Sequence, residues 1–450
     1  MTGDTLAALA CSYVERQTWF QAITDAQSGA QLQVESMSVV RQTRPGLARL
    51  RLGLDHHKFQ LFVGWREPSE VATALRGREG SIIGPWDDDV GPVLLYDALG
   101  DDELCLVLLE RATGGREQAS RVRRVSTLVS HASLVFDERM FMKCYRVLQR
   151  GARPEVEVVL RLDGVGFNAL LAPMGHWRED GYDLALVREF QPSALEGRLL
   201  ALTSLRDVLA HASENDEASS GPDGHTTMIS EISDQDTFDA ERATASAGGD
   251  LASEMRRLGA TTARLHLALA AAFGDRAVVQ SQIAEAQAAV AESHDEAVES
   301  LGHRFADLDP NAVGRSIRLH GDYHLRRVMR SEAGWLVAGF SDDPLYAVDR
   351  EEGSASGRRG SPLEDLADMC FSLRRVASEA LMQRPDPEAD HAERLADAWV
   401  RRNQSAFLEG YVTTDGARRL LPRDPTATEW LLEGFELARE RRYEATSAEV

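Results

Sequence analysis

The sequence predicts an α+β chain, with strands gathered in the first half and helices in the second. Three observations carry this. Between Leu47 and Tyr145, short apolar runs such as LARLRLGL, KFQLFVGW and MFMKCY are bounded by Gly, Pro and Asp, as strands are. Beyond Asp250 the period changes: in LASEMRRLGATTARLHLALAAAF, residues Leu251, Met255, Leu258, Thr262, Leu265 and Leu269 fall on one helical stripe. Between the helical segments sits RLHGDYHLRRVMRSEAGWLVAGFSDDP, Arg318 to Pro344, which reads as a polar loop followed by a hairpin with its turn at Ser331 to Gly334.

The composition sets outer limits. A chain of 450 residues, 43% hydrophobic and 27% charged, has room for two or three domains with a sizeable core. A formal net charge of -22 argues against sequence-independent binding to nucleic acid or an anionic membrane, since both need a basic surface. No apolar run approaches the roughly 20 residues of a membrane helix, and the N-terminus lacks a signal-peptide pattern. Cys11, Cys105, Cys144 and Cys370 are scattered without CxxC spacing, which suits a reducing compartment, and the expected location is cytoplasmic.

In chain order, residues 1–115 read as a β-rich module behind a short helix at Leu6 to Tyr13. GPWDDDVGPVLLYDAL and DDELCLVLLERA continue its alternation of turns and apolar runs, with Asp87, Asp88 and Asp89 in a solvated turn. Residues 116–210 hold the hairpin LVF-DER-MFMKCYR, with Lys143 on its second strand, a helix beginning after Pro154, and a strand, DLALVREFQP, that runs into a hinge. Residues 211–250 carry ten acidic residues against one arginine and no periodicity, so they read as a disordered acidic insertion. Residues 251–450 are helical apart from the central loop, Asp250 capping the first helix and Ser361, Pro362 and Glu364 opening a later one as a capping box.

The loop sequence His320-Gly321-Asp322-Tyr323-His324 and the hairpin after it resemble the maltokinase family, relatives of the aminoglycoside phosphotransferases, whose loop has the form HGDLHLGQ and whose hairpin ends in DFEGEP. The likeness extends to KCYRVLQRGARPEVE, similar without gaps to the family's KLFRRLEPGPNPDLE, to ALEGRLLALTSLRDVL, to the helix RRLGATTARLH and to SPLEDLADMCFSL. It covers the chain from about Ser120 to Tyr443, apart from the insertion. The resemblance implies a two-lobed protein-kinase-like (aminoglycoside phosphotransferase-like) fold, with a β-rich N-terminal cap domain and a mostly helical C-terminal lobe. It also implies ATP as phosphoryl donor and maltose as acceptor, giving maltose 1-phosphate in α-glucan and trehalose metabolism, with a trehalose-metabolising enzyme as an expected partner.

The roles it implies are specific. Asp322 is the catalytic base that orients the acceptor hydroxyl. Lys143 on its strand, paired with Glu157 in the next helix, holds the α- and β-phosphates. Ser130 and Ser133 match a polar turn that cradles phosphate through backbone N–H groups, and Glu189 and Phe190 face the adenine. His320 and Asp365 support the loop. The family's two Mg²⁺ ligands, a Gln and an Asp, fall on Arg327 and Gly339, which supply no oxygen from a side chain. Mg²⁺ binding is therefore in question, with Asp342 and Asp343 the nearest substitute ligands. Three readings stay open: a maltokinase-like enzyme with an altered metal arrangement, an inactive pseudokinase that regulates or scaffolds a partner, and a kinase for another small acceptor such as an amino sugar.

Overall fold

Alternating apolar positions build the first of two units. The computed structural model describes residues 3–23, 31–127, 131–219, 251–291, 313–340, 358–383 and 389–448. They divide into one unit of Met1–Val159 with Leu171–Pro192 and another of Leu160–Leu170 with Ser193–Val450.

In the first unit, α1 (Gly3–Glu15) and α2 (Thr18–Gln21) precede strands β1 (Gln33–Arg41), β2 (Gly46–Leu54) and β3 (His57–Arg66); the short helix α3 (Pro68–Ala74) then leads to β4 (Ile82–Asp88) and β5 (Gly91–Asp97). After α4 (Asp102–Thr113) come β6 (Val122–Thr127), β7 (His131–Phe136), β8 (Met140–Tyr145), β9 (Val147–Leu148), α5 (Pro154–Gly164), β10 (Pro173–Glu179) and β11 (Tyr182–Glu189). One sheet runs β1-β2-β3-β5-β4 with β9 on β3, and a second runs β10-β11-β8-β7-β6. Leu50, Leu52, Phe59 and Leu61 bury one face of the first sheet with Tyr13, Trp19 and Phe20. The other face shares a core with the second sheet, where Leu47 and Phe62 pack with Leu134, Met140, Met142 and Trp177 around α4. This shared core is why the segment read as cap and most of the one read as nucleotide lobe fall in a single unit, residues 160–170 and 193–210 belonging to the other.

One element corrects the sequence reading. DDELCLVLLERA is helix α4, not another strand-like run. Leu104, Cys105, Leu108, Leu109 and Ala112 fall on one helical stripe, Asp101 caps the N-terminus through the N–H groups of Glu103 and Leu104, and Gly114 ends the helix in the left-handed region.

The second unit is mainly helical: α6 (Gly197–Ser219), α7 (Ala252–Phe273), α8 (Ala284–Ala291), α9 (Pro362–Met382), α10 (Ala389–Val412) and α11 (Pro425–Ala448). Helix α6 continues through the first nine residues of the stretch expected to lack periodicity, and residues 220–250, including Asp250, lie outside the described residues. Helices α7 and α10 approach closely at glycine: a Cβ at Gly259 would lie 1.9 Å from the Phe407 carbonyl oxygen, and one at Gly410 1.9 Å from that of Arg256. Three-stranded sheets of β12 (Leu195–Glu196) with β15 (Val328–Ser331) and β16 (Gly334–Val337), and of β13 (Arg276–Ala277) with β14 (Arg315–Arg318) and β17 (Arg359–Gly360), frame the central loop. Strand β14 carries Ile317 into the core and delivers His320 to Asp322 at its end. Among the described residues, no helix is long and apolar enough to cross a membrane, and Cys11, Cys105, Cys144 and Cys370 are all free thiols.

Candidate active site

In the first unit Lys143 stands on β8 and donates to both carboxylate oxygens of a glutamate at 2.6 and 2.8 Å, but that glutamate is Glu155 rather than Glu157. The helical phase explains the correction. Glu155 shares the buried stripe of α5 with Val158, Val159 and Leu162, whereas Glu157 shares a face with the exposed Leu160, Arg161 and Gly164. The Glu155 side chain is 1% exposed, and buried Arg188 on β11 lies 3.4 Å from it. Burial alone would raise the Glu155 carboxyl; the charges of Lys143 and Arg188 outweigh it and bring the pKa down to about 2. Burial and the Lys143 charge push His131, two strand positions from Ser133, down to about 4.

Ser133 is buried opposite Lys143 in the ladder, and Ser130 lies outside the described residues. At the hinge, both backbone donors are engaged within the chain. The Glu189 N–H donates to the Ala172 carbonyl and the Phe190 N–H to the Arg139 carbonyl, each at 2.8 Å, because the chain is still engaged in intramolecular backbone bonding there. Those two donors are committed to backbone carbonyls.

In the second unit the loop is held from below. Asp365, fully buried near the start of α9, accepts from the N–H of His320 at 2.8 Å and of Gly321 at 3.0 Å. Its Oδ2 also lies 3.3 Å from His266 Nε2, whose Nδ1 is 3.0 Å from the Tyr411 hydroxyl. Burial works against the charge on Asp365, but the His266 bond and the other polar contacts win, and its pKa is lowered. His320 packs its ring on Phe340 at a centroid distance of 4.7 Å, and burial lowers its pKa to about 4, leaving the ring neutral at pH 7.

Asp322 is asymmetric. Arg327 spends two donors on Oδ2, Nε at 3.0 Å and Nη2 at 2.5 Å. Oδ1 is held more loosely, 3.4 Å from His324 Nε2 and 3.8 Å from Arg439 Nη2. Burial opposes ionisation, yet the His324 hydrogen bond and the Arg327 charge hold the carboxyl well below the usual carboxylate range. His324 and Arg439 both line a cavity of about 360 Å³ that also exposes Asp368, Arg198, Glu379 and Tyr443. Asp368 is 4% exposed; burial raises its pKa to about 6 despite Arg439, whose Nε is 3.4 Å away. Arg375 stacks over the Tyr443 ring at 3.8 Å on the same wall.

The two positions on which the expected Mg²⁺ ligands fall, Arg327 and Gly339, do not fit a divalent cation. Arg327 presents a guanidinium and Gly339 has no side chain, Asp342 and Asp343 lie outside the described residues, and no group of three His, Cys, Asp or Glu among the described residues has the arrangement of a metal site. Glu155, Arg188, His324, Asp368 and Arg439 were not singled out from the sequence. The spacing of Asp365, Asp368 and Ser372 along one face of α9 was the available signal for Asp368, since three- and four-residue steps bring them to the same side.

No family model matches the chain. It is similar to a glucosamine kinase of Streptacidiphilus jiangxiensis, 29% identical over 174 residues, which is 35% of this chain and 37% of that protein. The match thus spans little more than a third of that curated relative. Among solved structures, a glucosamine kinase in complex with glucosamine, ADP and inorganic phosphate covers 96% of this chain and 93% of its own, with a TM-score of 0.58 and 19% identity. Crystal form A of a glucosamine kinase covers 98% and 92%, with a TM-score of 0.60 and 19% identity. These likenesses show the kinase-like fold, strand-rich first and helical afterwards. They support a kinase-like family and do not single out the maltokinases.

Proposed function

We propose that this protein is a sugar-kinase-like phosphotransferase that takes ATP against Lys143 and Glu155 and presents a hydroxyl of a small sugar, an amino sugar before maltose, to Asp322. The observation that carries the reading is the more loosely held oxygen of Asp322: His324 and Arg439, which flank Oδ1, line the cavity that also holds the buried carboxylate of Asp368. A hydroxyl in that cavity can donate to Oδ1. The ammonium of an amino sugar has Asp368 as its counter-charge, a contact maltose lacks. The partial sequence match to a glucosamine kinase supports the same choice.

The chemistry follows from these residues. The acceptor oxygen attacks the γ-phosphorus, the bond from phosphorus to the β-bridging oxygen breaks with its electron pair leaving on ADP, and the hydroxyl proton passes to Asp322 Oδ1. Lys143, fixed by Glu155, places positive charge on the phosphates, and Asp365 fixes the loop so that Asp322 does not have to be ordered at the moment of reaction. Arg327 is the fixed positive charge nearest the carboxylate and contributes charge without the octahedral template of a metal.

A second reading has its own observation. Two hydrogen bonds from Arg327 make Asp322 a weak proton acceptor, which favours a protein that binds nucleotide and sugar and turns over slowly or not at all. Phosphorus NMR of ATP with glucosamine, glucose or maltose, with and without Mg²⁺, separates the two. A new phosphate-ester signal with glucosamine supports transfer; glucosamine binding without any ester supports the second reading. A maltose ester with no glucosamine ester overturns the acceptor assignment.

A further inference from the structure

The first unit holds a cavity of about 490 Å³ that the proposed chemistry does not use. Its lining includes neither Lys143 nor Glu155. Ala132, Ser133 and Leu134 of β7 all border it; Ser133 pairs with Lys143 and shares its face, whereas Ala132 and Leu134 point to the other. Its wall includes Tyr13, Trp19, Asp97, Arg78, Arg124 and Arg146. Arg78 and Arg124 share Asp102 at 2.7 and 2.8 Å, and Arg124 Nε also donates to the Leu99 carbonyl at 2.5 Å. Arg146 differs from them. It is 5% exposed, its Nη2 donates to Asp97 at 2.5 Å, and its Nε and Nη1 have no hydrogen-bond partner among the described residues.

A buried guanidinium with two unused donor nitrogens is costly unless an acceptor meets it. Here it borders a cavity in the size range of small-molecule sites. Trp19 lies 5.5 Å from the guanidinium and offers an aromatic wall, while Asp97 and Glu79 provide acceptors for hydroxyl donors. We infer that this cavity is a second ligand site, apart from the Lys143–Glu155 pair, for a small anionic and hydroxyl-rich metabolite of the sugar-phosphate class. The anionic group meets Arg146 and Arg124, and the hydroxyls meet the carboxylates.

The site is tested by calorimetric titration of the full chain with glucose 6-phosphate, glucose and inorganic phosphate, each in the presence and absence of saturating ADP. Gly80 lines the cavity, and a Cβ there meets nothing within 4 Å, so Gly80→Phe fills space without disturbing the core. Arg146→Lys keeps a cation for Asp97 while shortening the donor set. The expected result is glucose 6-phosphate binding that ADP leaves in place, stronger than for glucose or phosphate alone, and weakened about tenfold or more by either variant. ADP affinity stays unchanged in Gly80→Phe. Absence of glucose 6-phosphate binding, its displacement by ADP, or unaltered binding in a folded Gly80→Phe protein would each overturn the inference.

Discussion

The Arg327 side chain lies against Gly339: a Cβ built on Gly339 would come within 2.8 Å of Arg327 Nη1 and 3.2 Å of its Cδ, and Gly339 itself has φ +65°. The two residues that displace the expected metal ligands therefore fit one another. The arginine needs the space that the glycine leaves, and with that space it reaches Asp322.

This coupling predicts the outcome of restoring oxygen ligands. Gly339→Asp alone adds a Cβ against Arg327 in a left-handed backbone and is expected to destabilise the protein by about 1–2 kcal/mol. Arg327→Gln removes the obstruction, so the double variant is less destabilised than the sum of the singles. Thermal unfolding with and without Mg²⁺ checks this. A Mg²⁺-dependent rise in Tm in the double variant alone is the expected result, whatever its turnover.

Glu155→Gln leaves Lys143 and Arg188 facing each other without a buried counter-charge, and the expected cost is about 3–5 kcal/mol in urea unfolding. Glu157→Gln, on the outer stripe, is expected to change stability by less than about 1 kcal/mol. The lowered pKa of Glu155 carries a sign as well. Its contribution is present above the unfolded value near pH 4.5 and is lost as pH falls toward about 2. A wild-type acid-unfolding curve steeper than that of Glu155→Gln over this range is the outcome to look for.

Asp365→Asn keeps the shape but gives up the charge that accepts from His320 and Gly321. Loop hydrogen exchange is expected to accelerate, and stability to fall by about 1.5–3 kcal/mol. If the protein turns over, kcat drops about 100-fold with KM little changed, because positioning is lost and binding is not.

Asp368 sets a pH dependence for the acceptor. With its pKa raised to about 6 by burial, it is a neutral acid below that value and a carboxylate above it. Glucosamine affinity should rise up to tenfold between about pH 5 and pH 7, whereas glucose affinity stays flat. The stability term runs the other way: the raised pKa stabilises the fold at low pH, and that contribution is lost as pH rises through about 6. Equal pH profiles for the two sugars would remove Asp368 from the acceptor site.

The sequence by itself determined the α+β class, the hairpin of β7 and β8, the capping box of α9 and the loop that carries Asp322, because each is fixed by residues close together in the chain. It also showed that Arg327 and Gly339 cannot act as the expected ligands, since a side chain's chemistry is readable without its position. Tertiary structure decided the rest. Which of two glutamates meets Lys143 depended on the face that α5 buries, and the state of Asp322 depended on where the Arg327 side chain folds back. His324 with Arg439, and Arg146 with Asp97, come from segments far apart in sequence. Such pairs are set by packing over long loops, and no local period in the chain records them.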